Sequence, residues 1–70
     1  MTAFLTDSQR RIARALRELT DEAGHPPSIR EIADAVALAA STVAYHLQAL
    51  ERHGVVSHDP RRSRSYQVRP

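Results

Sequence analysis

The sequence predicts a mainly α-helical domain with a small β-hairpin, in the order three helices and then two strands. Two segments open with a capping-box pattern, and apolar residues recur at helical spacing in three. Residues 55–69 place a turn sequence between short alternating stretches, which is typical of a hairpin. A chain of 70 residues forms one domain, expected over residues 1–70, whose elements must share a single core.

Helix 1 is expected over about residues 7–23. Thr6 and Gln9 form its capping box, and Leu5 is placed as a hydrophobic staple. Gly24 follows the last helical residue, where a left-handed cap favours glycine. The predicted buried residues are Ile12, Leu16, Leu19 and Ala23.

Helix 2 is short and is expected over about residues 29–36. Pro26 and Pro27 interrupt the chain before it, because a residue that precedes proline avoids the helical region. Ser28 and Glu31 then repeat the capping box. The predicted buried residues are Ile29, Ile32, Ala33 and Val36.

Helix 3 is expected over about residues 41–53, with Ala40 or Ser41 at its start and Gly54 at its C-terminal cap. The residues expected to face the core are Val43, Leu47 and Leu50. At about 100° per residue, the opposite face then carries Ser41, Tyr45, Gln48 and Arg52, with Thr42 and His46 at its margins.

The predicted hairpin follows over about residues 55–69. Asp59 and Pro60 suit the first two positions of a type I turn, and Tyr66 and Val68 alternate as strand residues do. The turn also carries three arginines, which we expect to project together: Arg61, Arg62 and Arg64. A basic cluster of this kind is typical of contact with a polyanion.

Composition narrows the class of protein. Every one of the ten basic residues is arginine, whose planar fork suits phosphate and guanine edges, although the formal net charge is only +2. The absence of cysteine excludes a disulfide framework and a thiolate metal site, and it fits a cytoplasmic setting. No apolar run suggests a membrane span. The histidines at 46, 53 and 58 do not converge and the carboxylates are scattered, so we expect no metal, no cofactor and no enzyme activity.

The polar face of helix 3 points to nucleic acid. Its hydroxyl, amide, imidazole, phenol and guanidinium groups are those that read base edges in a major groove. A short helix that braces such a helix through a tight turn is a helix-turn-helix, and a basic hairpin beside it would touch the DNA backbone. The predicted nucleic-acid-binding residues are Ser28, Arg30, Ser41, Thr42, Tyr45, His46, Gln48, Arg52, Arg61, Arg62 and Arg64. An ordinary three-helix bundle with a mobile tail remains the alternative.

Three stretches carry a resemblance to a known family: GHPPSIREIADAV, STVAYHLQALERHGVV and HDPRRSRSYQVR. In this order they resemble the N-terminal DNA-binding domain of the LexA family of SOS repressors, a winged helix-turn-helix, from about Leu5 to Arg69. The resemblance implies that Ser41, Thr42 and Tyr45 lie where the recognition helix meets bases. It also implies that the wing carries Arg61, Arg62 and Arg64.

The chain departs from the family in three respects. Ala37 stands in the turn where glycine is common, and an alanine at positive φ costs about 1 kcal/mol, so we expect a turn of another shape. The base-reading side chains differ, so the operator sequence of relatives does not transfer. The family's peptidase domain uses a serine activated by lysine, and this chain has no lysine, so we expect no self-cleavage.

These observations predict a winged helix-turn-helix domain that binds double-stranded DNA with some sequence preference. The simplest mechanism is repression of transcription by occupying an operator, in the cytoplasm and in association with the nucleoid. We expect a monomer in solution, because the resemblance places dimerisation largely in the peptidase domain. Two copies could then pair on a palindromic DNA site. The competing hypothesis is a winged-helix module for protein–protein interaction.

Overall fold

A computed structural model of the chain describes residues 5–70. Its elements, in chain order, are α1 (Asp7–Ala23), α2 (Ile29–Val36), α3 (Ala40–Arg52), β1 (Val56–Ser57) and β2 (Gln67–Val68). Three helices followed by a two-stranded antiparallel sheet make a winged helix-turn-helix, which confirms the predicted fold class. The third helix begins at Ala40, so it lies one residue earlier at each end than the predicted range.

The caps of α1 are the predicted ones. Thr6 Oγ1 accepts a hydrogen bond from Gln9 N, and Gln9 Oε1 accepts one from Thr6 N, both at 3.1 Å. Gly24 has φ 78° and its N–H donates to the carbonyl of Thr20, as a left-handed cap does. The expected burial of Ala23 is wrong, because Ala23 is exposed, as are all of residues 21–25.

The turn between α2 and α3 contradicts the expectation of an unusual shape. Ala37 adopts the left-handed conformation, with φ 59° and ψ 43°. Leu38 N donates to the carbonyl of Ala33 at 3.1 Å, which completes a Schellman closure and seats Leu38 against the core. Arg11 Nη2 donates to the carbonyl of Val36 at 2.7 Å, which satisfies another terminal carbonyl of α2. These contacts offset the cost of alanine at positive φ, about 1 kcal/mol.

The end of α3 is closed by a second Schellman motif. Gly54, at φ 76°, donates from its N–H to the carbonyl of Glu51 at 3.0 Å. Val55 N donates to the carbonyl of Leu50 at 2.9 Å, and the Val55 side chain packs on the core. The reversal leads the chain directly from α3 into β1.

The hairpin is paired only at its base. Val56 lies opposite Val68, and Ser57 lies opposite Gln67. β1 contacts α3 and β2 contacts α1, so each strand is attached to a different helix. Arg69 N also donates to the carbonyl of Val55 at 2.9 Å, which closes the base of the hairpin, and the residues between Ser57 and Gln67 form its loop.

One core is shared by all three helices and the sheet. Its fully buried side chains are Ile12, Leu16, Ile32, Val43, Leu47, Leu50 and Val56. The predicted inward face of α3 is confirmed by this set, whereas Leu19 and Ile29 are only partly buried. Because α3 turns its apolar side to α1 and α2, its opposite side is left to solvent.

Candidate nucleic-acid interface

The outer face of α3 presents the polar side chains that its periodicity predicted. Five of the six predicted α3 residues are exposed: Ser41, Thr42, Tyr45, Gln48 and Arg52. Tyr45 is 64% exposed and is the one large apolar residue of residues 5–70 that projects into solvent in this way. A phenol at the centre of a polar helix face can donate, accept and stack.

His46 is less available than its neighbours. Its side chain is half-buried, and its Nδ1 is enclosed with no hydrogen-bond partner among residues 5–70. The ring meets that of Tyr45 edge to face, with centroids 5.5 Å apart and an interplanar angle of 68°. His46 therefore packs against one side of Tyr45, at the boundary between the polar face and the core.

At the N-terminus of α2, the predicted contact residue Ser28 forms the helix cap. Ser28 Oγ accepts from Glu31 N at 3.1 Å, and Ser28 N donates to Glu31 Oε1 at 2.8 Å. Glu31 Oε1 also accepts from Arg64 Nη1 of the wing. The bond from Ser28 N, then that from Arg64, holds the pKa of Glu31 below its ordinary value. The polar groups of Ser28 are thus engaged in the cap, while Arg30 is exposed beside them.

The tip of the wing forms at the predicted residues. Arg62 N donates to the carbonyl of Asp59 at 3.0 Å, so Asp59 and Pro60 occupy the first two positions of a four-residue turn. Asp59 Oδ1 also accepts from Arg61 N at 2.9 Å, as aspartate does in such turns.

The three wing arginines do not project together. The side chain of Arg61 is 91% exposed, and Arg62 is exposed as well. Arg64 has φ 54°, a left-handed conformation that is rare for arginine, and its side chain reaches back to Glu31. The structure therefore separates two outward arginines from one that is paired with α2.

A side-chain cluster at the base of the wing was not predicted. His58 Nδ1 lies 2.9 Å from Glu51 Oε2, and the His58 ring stacks on Tyr66 with centroids 4.4 Å apart. Partial burial raises the pKa of Tyr66, and the charge of Glu51 adds to the effect. The only sequence signal was a carboxylate and a histidine on either side of the Gly54 reversal. Their contact depends on how the hairpin folds back.

The described residues suggest neither a metal centre nor a membrane segment. Across residues 5–70, no three His, Cys, Asp or Glu side chains come together as metal ligands would. Among the helices of the same range, none is both long enough and apolar enough to cross a lipid bilayer.

An exposed polar recognition helix beside a basic wing defines the class of winged helix-turn-helix nucleic-acid-binding domains. The sequence model of the family described as LexA DNA binding domain matches residues 2–65. The chain belongs to this family, which confirms the resemblance carried by its proline-rich turn, its recognition helix and its wing.

Curated relatives agree with this assignment. The LexA repressor of Streptomyces coelicolor is 50% identical over 66 residues, which cover 93% of this chain and 28% of that protein. The LexA repressor 2 of Nocardia farcinica is 50% identical over 68 residues, 96% of this chain and 28% of that protein. The LexA repressor of Mycobacterium leprae is 49% identical over 70 residues, 99% of this chain and 30% of that protein. The chain thus spans less than a third of the length of these relatives.

Proposed function

We propose that residues 1–70 act as one domain that binds double-stranded DNA with sequence preference and represses transcription by occupying an operator. The observation that carries the proposal is the open polar face of α3, which lies opposite the shared core in a chain of the LexA DNA binding domain family. The relatives are named repressors, which supports repression as the outcome of binding.

The proposed contacts divide into two kinds. Neutral side chains of the recognition helix, with Tyr45 and Thr42 foremost, meet base edges, because hydrogen bonds and apolar contacts there distinguish sequences. Arg61 and Arg62 are charged and fully outside α3, so they meet phosphates or the minor groove, which hold the protein on any duplex. The remaining proposed contacts are Ser28, Arg30, Ser41, His46, Gln48, Arg52 and Arg64.

The exposed polar face of α3 and the wing also bear on the partner and on the oligomeric state. The proposed ligand is duplex DNA of the bacterial nucleoid, so the place of action is the cytoplasm, and no catalytic role is assigned. Tyr45 is the one large hydrophobic residue of residues 5–70 that is exposed, so we expect a monomer in solution. Two copies pair on a two-fold palindrome whose half-site spacing is set by the helical repeat of DNA.

Selection from a random duplex pool, followed by fluorescence anisotropy, tests the proposal. A selected sequence should bind more tightly than a scrambled duplex of equal length, and affinity should fall steeply as salt rises, because phosphate contacts release counterions. Arg17→Ala is the matched control, since it removes one exposed arginine from α1 while leaving the proposed interface intact. A pool that shows no enrichment, together with no salt-dependent binding, would favour the protein–protein interaction module instead.

A further inference from the structure

The wing loop is closed by its own hydrogen bonds. Ser65 Oγ accepts from Asp59 N at 3.0 Å, and its hydroxyl lies within reach of the carbonyls of Asp59, at 2.9 Å, and Arg62, at 3.0 Å. Together with the Arg62–Asp59 turn bond, these contacts join the two ends of the loop tip. Residues 59–65 therefore form a unit with a defined internal shape, which carries Arg61.

The orientation of this unit is a separate matter from its shape. Below it lie the two residue pairs of the β1–β2 ladder and one further backbone hydrogen bond, from Arg69 N to the carbonyl of Val55 at 2.9 Å. A ladder so short resists bending and twisting weakly, since a two-stranded hairpin alone is marginally stable. Packing of β1 on α3 and of β2 on α1 fixes the ladder, and side-chain contacts at the wing base then restrain the angle between the loop and α3.

The contacts at the wing base form a chain from the recognition helix to both ends of the loop. Glu51 lies in the last turn of α3, next to the exposed Arg52. His58 and Tyr66 immediately flank residues 59–65, and their rings stack at 4.4 Å with an interplanar angle of 16°. An ionised carboxylate can only accept, so His58 Nδ1 carries the proton that it donates to Glu51 Oε2.

We propose that Glu51 is a positioning residue, which sets through His58 and Tyr66 the angle at which the wing meets DNA beside α3. The proposal rests on the DNA-binding function proposed above. The partly buried Glu51–His58 contact is better suited to this role than the exposed Arg64–Glu31 pair, since water weakens exposed ion pairs. With Glu51 in place, the outward arginines are pre-oriented, and less conformational freedom is lost on binding.

Two substitutions with the same change in charge separate positioning from electrostatics. Glu51→Gln and Glu51→Ala each remove one negative charge near the proposed DNA surface, and that change alone tightens binding equally in both. Only glutamine keeps an acceptor for His58 Nδ1. We expect Glu51→Ala to bind the selected duplex roughly three- to tenfold more weakly than Glu51→Gln, the size of effect expected for one lost hydrogen bond.

Two further measurements show whether the effect passes through the wing. In a background that carries Arg61→Ala and Arg62→Ala, the difference between the two Glu51 variants should shrink, because no outward wing arginine remains to be oriented. Residual dipolar couplings of the free protein should also report a changed orientation of residues 59–65 relative to α3 in Glu51→Ala, but not in Glu51→Gln. His58→Phe, which keeps a ring for Tyr66 but loses the donor, should change the couplings as Glu51→Ala does.

Several results would overturn the proposal. The first is that Glu51→Gln and Glu51→Ala bind DNA with equal affinity. The second is that their difference in affinity is as large in the background with Arg61→Ala and Arg62→Ala. The third is that the dipolar couplings of Glu51→Ala equal those of wild type. Circular dichroism melts accompany each variant, and if Glu51→Ala does not fold, His58→Phe provides the same comparison with wild type. If wild type itself shows no salt-dependent DNA binding, the proposed function fails, and the dipolar couplings still decide whether Glu51 orients the wing.

Discussion

Arg64 of the wing and Glu31 of α2 lie 33 positions apart in the chain and are joined by a hydrogen bond from Nη1 to Oε1. The same carboxylate oxygen accepts from Ser28 N, so one side chain both caps α2 and holds an arginine that the sequence assigned to DNA. In the proposed complex with DNA, Glu31 would therefore compete with phosphate for Arg64.

Glu31→Gln should therefore strengthen DNA binding. Glutamine is an accepted partner in the capping box, so the cap at Ser28 is preserved, while Arg64 loses its charged partner. We expect affinity for specific and random duplexes to rise by up to about fivefold, with the slope of log affinity against log salt steeper by about one unit. Anisotropy titrations across a salt series measure both. Weaker binding by Glu31→Gln would show that DNA binding requires the contact between Arg64 and Glu31.

The difference in folding stability between wild type and Glu31→Gln should depend on pH. The pKa of Glu31 is lowered in the folded protein from an ordinary value of 4.5, chiefly by the bond from Ser28 N and then by that from Arg64. A lowered folded-state pKa gives a stabilisation that is present above pH 4.5 and lost as the pH falls through the folded value. The stability difference between wild type and Glu31→Gln should thus shrink below that pH in denaturant titrations. If this stability difference grew on acidification, the direction assigned to the pKa shift of Glu31 would be wrong.

Ala37→Gly should stabilise the domain. Ala37 is held at φ 59°, where a side chain is strained and glycine is not. We expect a gain of about 0.5–1 kcal/mol, partly reduced by the greater freedom of glycine in the unfolded chain. For a domain of this size, that corresponds to a rise in melting temperature of a few degrees, roughly 2–6 °C.

Ala35→Gly is the matched control, since Ala35 is an exposed residue of α2. There the same change should destabilise by about 0.5–1 kcal/mol, because ordinary helical backbone favours alanine. A loss of stability in both variants would mean that the left-handed turn does not persist in solution.

Leu47→Ala tests the orientation of α3. Leu47 is fully buried in the core shared by the three helices, so its truncation leaves a cavity. The expected cost is about 2–5 kcal/mol, enough to unfold much of so small a domain. Gln48→Ala, on the exposed side of the same helix, should change the melting temperature little. Similar melting temperatures for the two variants would contradict the buried face described for α3.

Substitutions in the wing and in the recognition helix should have different effects on DNA binding. Replacing Arg61 and Arg62 with alanine should weaken binding to specific and random DNA alike and flatten the salt slope by about two units. Tyr45→Ala should leave the slope nearly unchanged and remove about 1–3 kcal/mol of discrimination at one or two base pairs. Arg64→Ala should flatten the slope less than alanine at either outward arginine does, because the Arg64 side chain is hydrogen-bonded to Glu31, whereas Arg61 lies 3.7 Å from Asp59 and is 91% exposed. The proposed docking would be refuted if the variant without Arg61 and Arg62 lost sequence preference while Tyr45→Ala lost only salt-dependent affinity.

Features that depend on a few consecutive residues were predictable from the sequence. Both capping boxes join residues three positions apart, and Gly24 and the Asp59-Pro60 turn act within four residues. Hydrogen bonds of this range form wherever the local backbone allows them, so they need no knowledge of the rest of the molecule. The exposed face of α3 was predictable for a similar reason, since a fixed angle per residue separates Tyr45 from Leu47 once one side is buried.

Contacts between distant residues were decided by the tertiary structure alone. Ala37 takes a strained conformation while Leu38 packs on the core, and Ala23 is exposed although its spacing matches the apolar stripe of α1. The engagement of Arg64 by Glu31, and the chain from Glu51 through His58 to Tyr66, exist only once the hairpin has folded back on α2 and α3. The energy of such a contact depends on a separation of a few ångströms between atoms far apart in the chain, and only packing sets that separation.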